Sequence, residues 1–252
     1  NINNRFNTNY SYLSKGNRTS LVVESIDNEG DKFEYSYDNL YNITKIYHNG
    51  ILENEYFYDE YNQLVKEHNY ILGNTIRYKY DDFGNILFKK IYKLKTYEQL
   101  EQNIYEYNND AFRDLLTKFN NEDILYDGIG NPIMIGNKRL TWINGRQLSN
   151  YIDETNQINY KYNISGIRIK KVINNVETSY ELDDENIIFE KTNNNVIYYI
   201  RSNANDLIGF KYNNDVYYYI KNNQDDIIGI LDSNYNIVAK YQYDSFGNIM
   251  SI

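Results

Sequence analysis

The sequence predicts an all-β fold, an array of β-hairpins that forms one continuous, twisted antiparallel sheet. Three observations predict it: a short phrase recurs along the chain, 30 tyrosines supply rings for a core, and 252 residues contain one proline. Recurrence at a near-constant interval indicates that one small unit was copied. Proline interrupts the hydrogen-bond ladder of a sheet, so its scarcity suits a long series of strands.

The recurring phrase is Tyr-x-Tyr-Asp, followed after two residues by Gly-Asn and a branched apolar residue. It is complete at 78–86 and again at 241–249. The interval is 21 positions from Asp38 to Asp59 and 22 positions from Asp59 to Asp81. The residues assigned to the phrase are the strand-end tyrosines Tyr37, Tyr58, Tyr80, Tyr126, Tyr162 and Tyr243, the aspartates Asp38, Asp59, Asp81, Asp127 and Asp244, and the glycines Gly84, Gly130, Gly166 and Gly247.

Each phrase predicts a strand, a turn and a second strand. Side chains alternate along a strand, so Tyr-x-Tyr places two rings on one face. An Asp at the strand end accepts a hydrogen bond from the backbone two residues on and opens a turn. A Gly or Asn four positions later is expected to adopt the positive φ that closes the turn. The copied unit is therefore a β-hairpin, and neighbouring hairpins bury each other's tyrosines.

Two segments depart from the simple repeat. Trp142 and Asn144 fit a diverged unit in which Trp and Asn take the places of Tyr and Asp. The stretch 97–119 is the best candidate for a helix, and we expect a short helix or a longer loop there. No composition shift divides the chain, so we expect a single YD-repeat region over 1–252, excised from a longer protein.

Composition excludes several classes of function. The net charge of −9 disfavours nucleic-acid binding, because phosphate backbones repel an acidic surface. The pairs Lys89-Lys90 and Lys170-Lys171 are interpreted as solvated faces of strands. Without cysteine, disulfides and thiolate metal sites are excluded. No apolar run reaches the roughly 20 residues that span a bilayer, so we expect no membrane insertion by this segment.

Candidate catalytic residues are few. The only histidines, His48 and His68, lie in different units and are expected at the surface or across a strand pair. The acidic pairs 81–82, 183–184 and 225–226 contain the two carboxylates that glycosidases need, but neighbours along a strand point apart. The glycines of 128–130 lack the rest of a phosphate loop and are interpreted as a turn. We therefore predict no catalytic site, no metal and no cofactor.

The repeated phrase resembles the YD repeats of RHS (rearrangement hotspot) proteins, a family that includes wall-associated proteins, toxin-complex C components and the teneurins. The likeness covers nearly the whole chain, and the stretches 217–232 and 241–249 are similar to the end of an RHS core. The resemblance implies a β-sheet strip that spirals into a hollow shell, which in toxin-bearing members encloses a C-terminal toxin. Some members cut themselves at an Asp-Pro-x-Gly motif, which this sequence lacks, since its proline follows Asn131.

The resemblance implies a non-enzymatic structural segment of a secreted or surface bacterial protein, whose partner is another segment of the same protein, such as a C-terminal toxin or other cargo. The alternative is an adhesin module that binds glycans or a surface protein through exposed tyrosines. An enzyme, either a glycosidase or the self-cleaving activity of the family, is the third hypothesis.

Overall fold

The computed structural model describes residues 7–13 and 22–252, and over these ranges the chain is built from β-strands and turns without a helix. Twenty-three of the described strands belong to one antiparallel sheet, and two short strands form a second. The predicted fold class, an all-β array of hairpins in a continuous sheet, is confirmed. The chain divides into two compact units, which are described separately.

Unit 1 combines the described residues up to Leu115 with the segments Lys221–Asp226 and Tyr243–Met250. Its strands are β1 (Thr8–Tyr12), β2 (Val23–Asn28), β3 (Asp31–Tyr37), β4 (Ile43–His48), β5 (Ile51–Tyr58), β6 (Leu64–Asn69), β7 (Asn74–Tyr80), β8 (Ile86–Lys93) and β9 (Gln99–Glu106). Each strand pairs with the next in antiparallel register, so the unit is a meander of hairpins.

Unit 2 combines Leu116–Ile220 with Ile227–Gln242 and the last two residues. Its strands are β10 (Lys118–Phe119), β11 (Glu122–Tyr126), β12 (Pro132–Ile135), β13 (Lys138–Ile143), β14 (Gln147–Ile152), β15 (Gln157–Tyr162), β16 (Arg168–Ile173), β17 (Val176–Asp183), β18 (Asn186–Thr192), β19 (Asn195–Arg201), β20 (Leu207–Tyr212), β21 (Asp215–Lys221), β22 (Ile227–Leu231) and β23 (Ile237–Lys240), and the second sheet consists of β24 (Gln242–Tyr243) and β25 (Ile249–Ser251). From β10 to β21, and again between β22 and β23, successive strands pair antiparallel.

The core of unit 1 lies on the face that carries the first tyrosine of each phrase. Tyr78 and Ile76 are 5% and 1% exposed and pack with Ile91 of the neighbouring strand. Tyr35 is 5% exposed at the equivalent place in β3. Burial of a large ring with a polar tip is how a chain of low mean hydropathy builds a core. In unit 2 the largest fully buried side chain is Leu231, which is 2% exposed.

Two expectations about this fold need correction. The stretch 97–119 contains no helix: Gln99–Glu106 forms β9 and pairs with β8, because strand pairing outweighs the local helix propensity of Glu and Gln, and the longer loop that was the other expectation lies at 107–117. Lys89 is not solvated: its residue is 8% exposed, and its ammonium group lies against the carboxylate of Asp244. A lysine is buried in this way only when it has a partner for its charge.

Candidate functional site

The recurring feature of the fold is one five-residue turn. In every copy the N–H of the first residue donates to the carbonyl of the fifth, and the N–H of the fourth donates to the carbonyl of the first, at 2.9–3.2 Å. Nine copies occur among the described residues, at 38–42, 59–63, 81–85, 127–131, 163–167, 202–206, 222–226, 232–236 and 244–248. The strands on either side are therefore joined with the same geometry each time.

The side chain of the first residue holds each turn from inside. At the 81–85 turn, Oδ1 of Asp81 accepts from the N–H groups of Phe83 and Asn85, both at 2.9 Å. Its Oδ2 accepts from the side-chain amide of Asn85, also at 2.9 Å. The same three bonds occur in the turns that begin at Asp38, Asp127, Asp232 and Asp244.

These donors favour the ionised carboxylate. Burial by the turn opposes ionisation of Asp81, but hydrogen bonds from the side chain and backbone of Asn85 outweigh it and lower the pKa. At Asp127 the backbone hydrogen bond from Asn131 is the largest cause of a lowered pKa. The aspartates of the phrase are thus acceptors fixed by local donors, which is the opposite of a carboxyl group prepared to give up a proton as a general acid.

The residue with positive φ stands three positions after the first residue, not four as the sequence pattern suggested. It is Gly84 in one turn (φ 86°) and Gly247 in another (φ 79°), but Tyr41 in the first (φ 68°). In the five turns with all three bonds, the residue four positions on is an asparagine whose side-chain amide donates to Oδ2 of the aspartate. We call this side-chain pair the clasp. A bulky residue in the left-handed region is held there by the hydrogen bonds around it.

Three turns carry the same geometry without the Tyr-Asp step, and the pattern of the phrase did not identify them. Ser202, Asn222 and Asp232 begin them, and each accepts from the backbone two and four residues on. The signal that identifies them is a Ser, Asn or Asp followed four positions later by Asp or Asn. At 222–226 the polarity of the clasp is reversed, since the amide of Asn222 donates to Asp226 at 2.9 Å.

In five copies of the phrase among the described residues, the second tyrosine joins its strand to the segment before it. The hydroxyl of Tyr80 at the end of β7 donates to the carbonyl of Leu64 at the start of β6, at 2.7 Å. We call this hydrogen bond the tyrosine clamp. Further copies join Tyr37 to Val23, Tyr58 to Ile43, Tyr126 to Leu116 and Tyr162 to Leu148, at 2.6–2.9 Å.

A β-bulge precedes every clamp. The register shifts between Lys79 and Tyr80, so that Tyr80 stands opposite Ile86. The same shift precedes Tyr37, Tyr58, Tyr126, Trp142 and Tyr162. Because a bulge re-aims the side chain that follows it, the second tyrosine is directed differently from the first.

Trp142 is a natural substitution of the clamp. Its indole Nε1 donates to the carbonyl of Pro132 at 2.7 Å, where the other units use a tyrosine hydroxyl. Trp has one ring donor and no acceptor, which is what this position requires. Tyr243 lies in β24, in the last copy of the phrase.

A polar cluster lies on the core face of unit 1, next to the last turn. The ammonium of Lys89 on β8 contacts Oδ2 of Asp244, whose side chain is fully buried. Glu67 on β6 is 3% exposed and accepts hydrogen bonds from the hydroxyls of Ser245 and of Tyr78, the latter at 3.3 Å. Burial raises the pKa of Glu67. The ring of Phe246 packs edge-on against Tyr78, with 5.1 Å between the centroids.

The histidines do not form a reaction centre. His48 lies between Asp31 and Glu53, with one carboxylate on each ring nitrogen. Its ring stacks on that of Phe33, with 4.2 Å between the ring centroids. His68 is 7% exposed and bonds its cross-strand neighbour Thr75 at 2.8 Å.

The described ranges contain no group of three or more His, Asp or Glu residues that could hold a metal ion. Nor do they include a helix with the length and hydrophobicity needed to span a membrane.

Comparison with known proteins identifies the family. The chain is 34% identical over 200 residues to the tRNA nuclease WapA of Bacillus subtilis and 32% identical to the tRNA3(Ser)-specific nuclease WapA of Bacillus spizizenii; in each case 76% of this chain and 8% of the relative are covered. WapA is an RHS-repeat protein. The chain belongs to the RHS (YD-repeat) family. No family model matches it.

Solved structures of RHS proteins share the fold of this YD-repeat chain. The crystal structure of TcdB2-TccC3 without the hypervariable C-terminal region aligns with a TM-score of 0.72, at 15% identity over 98% of this chain and 15% of that one. TcdB2-TccC3-Cdc42 aligns with a TM-score of 0.70, at 16% identity over 96% of this chain and 15% of that one. The YD-repeat chain thus spans less than a sixth of each of these relatives.

Proposed function

We propose that this chain is a structural wall segment of a longer, secreted or surface YD-repeat protein, without catalytic activity of its own. The wall encloses or displays another segment of the same protein, such as a C-terminal toxin or other cargo. The small share of the relatives that the chain covers supports the proposal that it is one part of a larger array, a single region over 1–252.

The observation that carries the proposal is the use of the conspicuous side chains for construction. The aspartates are occupied by their own turns, as Asp81 is by Phe83 and Asn85. The second tyrosines are occupied by backbone carbonyls, as Tyr80 is by Leu64. Catalysis requires groups that converge on a substrate, and these groups converge on backbone.

We propose that the residues of the repeated phrase maintain the wall. They are the clamp and strand-end tyrosines Tyr37, Tyr58, Tyr80, Tyr126, Tyr162 and Tyr243, the turn aspartates Asp38, Asp59, Asp81, Asp127 and Asp244, and the turn glycines Gly84, Gly130, Gly166 and Gly247. A rigid wall has to resist local opening, and repeated clamps at the strand ends supply that resistance.

Protease protection tests enclosure. The YD-repeat protein that carries this chain is digested with a broad-specificity protease, and the fragments are identified by mass spectrometry over time. We expect the wall strands and the enclosed segment to survive together, and variants with several clamps removed to lose both together. Cleavage of the enclosed segment at the rate of the free peptide, with an intact wall, would contradict enclosure.

Intact mass tests the absence of self-cleavage. The purified chain is incubated for days across the neutral and mildly acidic range, and its mass is recorded. We expect only the full-length chain. Discrete fragments that appear at a fixed peptide bond would show an activity that the proposal denies.

One observation favours the adhesin alternative. The third position of three turns in unit 1 carries an exposed apolar side chain: Leu40, Tyr61 and Phe83 are 70%, 77% and 63% exposed. Two of the three are aromatic, and exposed aromatic side chains suit weak glycan stacking. A glycan array separates the two functions, because a wall gives no saturable, sugar-specific signal. A signal that the Tyr61→Ser and Phe83→Ser substitutions abolish would favour the adhesin.

A further inference from the structure

The polar cluster of unit 1 contains one more carboxyl group than it has cations. Lys89 is the cation, and Asp244 and Glu67 are the carboxyl groups; all three residues are less than 10% exposed. With both carboxyl groups ionised the cluster holds a net charge of −1 in a buried place. An uncompensated buried charge is costly, so the cluster favours a state in which one carboxyl group is protonated.

The contacts decide which carboxyl group takes the proton. Asp244 accepts from Lys89, from the N–H groups of Phe246 and Asn248 at 2.9 Å each, and from the Asn248 amide. Desolvation opposes its ionisation, but these donors hold its pKa below the usual value. Within the described residues Glu67 accepts from two hydroxyls, and burial, with the nearby charge of Asp244, raises its pKa although these hydroxyls and Lys89 oppose the rise. Glu67 is therefore the group that carries the proton.

The other groups that face the cluster stay neutral over the same range. They are tyrosines from three strands of unit 1: Tyr56, Tyr58, Tyr78, Tyr80 and Tyr105. Burial raises the pKa of each, to about 12 for Tyr58 and Tyr80. No phenolate forms in mildly acidic or neutral solution, so among these groups of the described chain Lys89, Asp244 and Glu67 set the charge.

We propose that the last turn, 244–248, is a pH-dependent latch on the core face of unit 1. The latch is closed most firmly in mildly acidic solution and is loosened as the pH rises. This goes beyond the wall function, since it makes one element of the array releasable. A group whose folded-state pKa is raised stabilises below its unfolded-state pKa, and this stability is lost as the pH rises through the folded-state value. Glu67 then ionises beside Asp244, and opening of the latch hydrates it. At the acid limit the latch weakens again, when Asp244 is protonated and its pairing with Lys89 is lost.

A single thiol reports the latch, because the chain has no cysteine of its own. Met250 packs on the core cluster that contains Ile76 and Tyr78, and Met250→Cys places a thiol there. Phe83→Cys, at an exposed turn position, is the matched control for the intrinsic pH dependence of the reagent. The rate of labelling at position 250 divided by the rate at position 83 measures opening. We expect this ratio to rise at least about tenfold between pH 5 and pH 8, with a limit of tenfold per pH unit for one proton.

Two charge variants make the test decisive. Glu67→Gln keeps the size and the hydrogen-bonding capacity of the protonated carboxyl group, so the ratio is expected to stay low and flat. Asp244→Asn leaves one carboxyl group opposite Lys89, and Asn begins the same turn at Asn163 and Asn222, so the rise with pH is again expected to disappear. Far-UV circular dichroism checks that each variant is folded. A labelling ratio independent of pH in the cysteine variants without a charge substitution would overturn the proposal. The same rise of the ratio after Glu67→Gln would overturn it too.

Discussion

Removal of the Asp81 carboxylate tests the turn most sharply. Asp81→Ala deletes three hydrogen bonds of 2.9 Å, from the N–H groups of Phe83 and Asn85 and from the Asn85 amide. Water replaces part of them at this half-buried position, so the closest precedent is an N-cap residue, whose loss costs about 1 kcal/mol, with a range of 0.5–2. We expect Asp81→Ala to lower the free energy of unfolding by about 1–2 kcal/mol.

Asp81→Asn is the informative partner of this variant. It keeps Oδ1 as the acceptor for both backbone N–H groups, and reversal of the Asn85 amide restores the third bond, as in the Asn222 to Asp226 clasp. We expect it to cost less than about 0.5 kcal/mol. Urea titration followed by circular dichroism gives both values, with the slope m checked for constancy. Asp82→Ala, next in the chain, is the control.

The pH dependence of the free energy of unfolding gives an independent test of the role of Asp81. The pKa of Asp81 is lowered on folding, so its stabilisation is present above the unfolded-state value and is lost as the pH falls through the folded-state value. Asp81→Asn lacks this contribution, and its deficit relative to the parent chain should shrink below about pH 4. Equal losses in the free energy of unfolding for Asp81→Ala and Asp82→Ala would contradict the role of the Asp81 carboxylate in the turn. Equal losses for the Ala and Asn variants at position 81 would contradict it too.

The remaining predictions concern backbone and burial. Gly209→Ala should destabilise by about 2 kcal/mol or more, because a Cβ would lie 2.3 Å from the Tyr217 carbonyl oxygen. At Gly229 the nearest atom to a Cβ is the end of the Ile220 side chain at 3.3 Å, and the Ala239 carbonyl oxygen at 3.5 Å is in ordinary contact, so Gly229→Ala should cost less than half as much; equal melting temperatures would contradict this. Gly84→Val, at φ 86°, should cost about 1 kcal/mol or more, and an unchanged melting temperature would argue against its place in the turn. Burial raises the pKa of Tyr80 to about 12 from 10.0, so its stabilisation is full below pH 10 and is lost as the pH rises towards 12. The phenolate absorbance of the parent chain minus that of Tyr80→Phe isolates this group, and a difference that already grew at pH 10 without unfolding would contradict the prediction.

Local patterns predicted the strands and the turns. Tyr-x-Tyr alternation and the Asp step place β7, the 81–85 turn and β8 correctly, because side-chain periodicity and the Asx acceptor act within a few residues. The diverged unit at Trp142 could also be predicted, since an indole supplies the same donor as a phenol. What the pattern did not reveal is the division of labour between the two tyrosines, which depends on the bulge.

The rest depended on contacts that are distant in the chain. Lys89 and Asp244 are 155 positions apart, and nothing near Lys89 indicates that it is buried. Tyr41 adopts a positive φ although glycine or asparagine was expected to close the turn. The turns at Ser202 and Asn222 were missed because the Tyr-Asp step was used as the register mark. What all these turns share is a short side chain at the first position, whose oxygen accepts hydrogen bonds from the backbone.

The tyrosine clamp gives the most direct test of whether the recurring phrase has the same structural role in each unit that contains the clamp. The measurement is the free energy of unfolding of single Tyr→Phe variants at the clamp positions Tyr37, Tyr58, Tyr80, Tyr126 and Tyr162, with the exposed Tyr61→Phe as the control. We expect a similar loss at each clamp, about 0.5–1.5 kcal/mol for one hydrogen bond, and no measurable loss at Tyr61. A loss confined to one clamp, with the others indistinguishable from Tyr61→Phe, would contradict it.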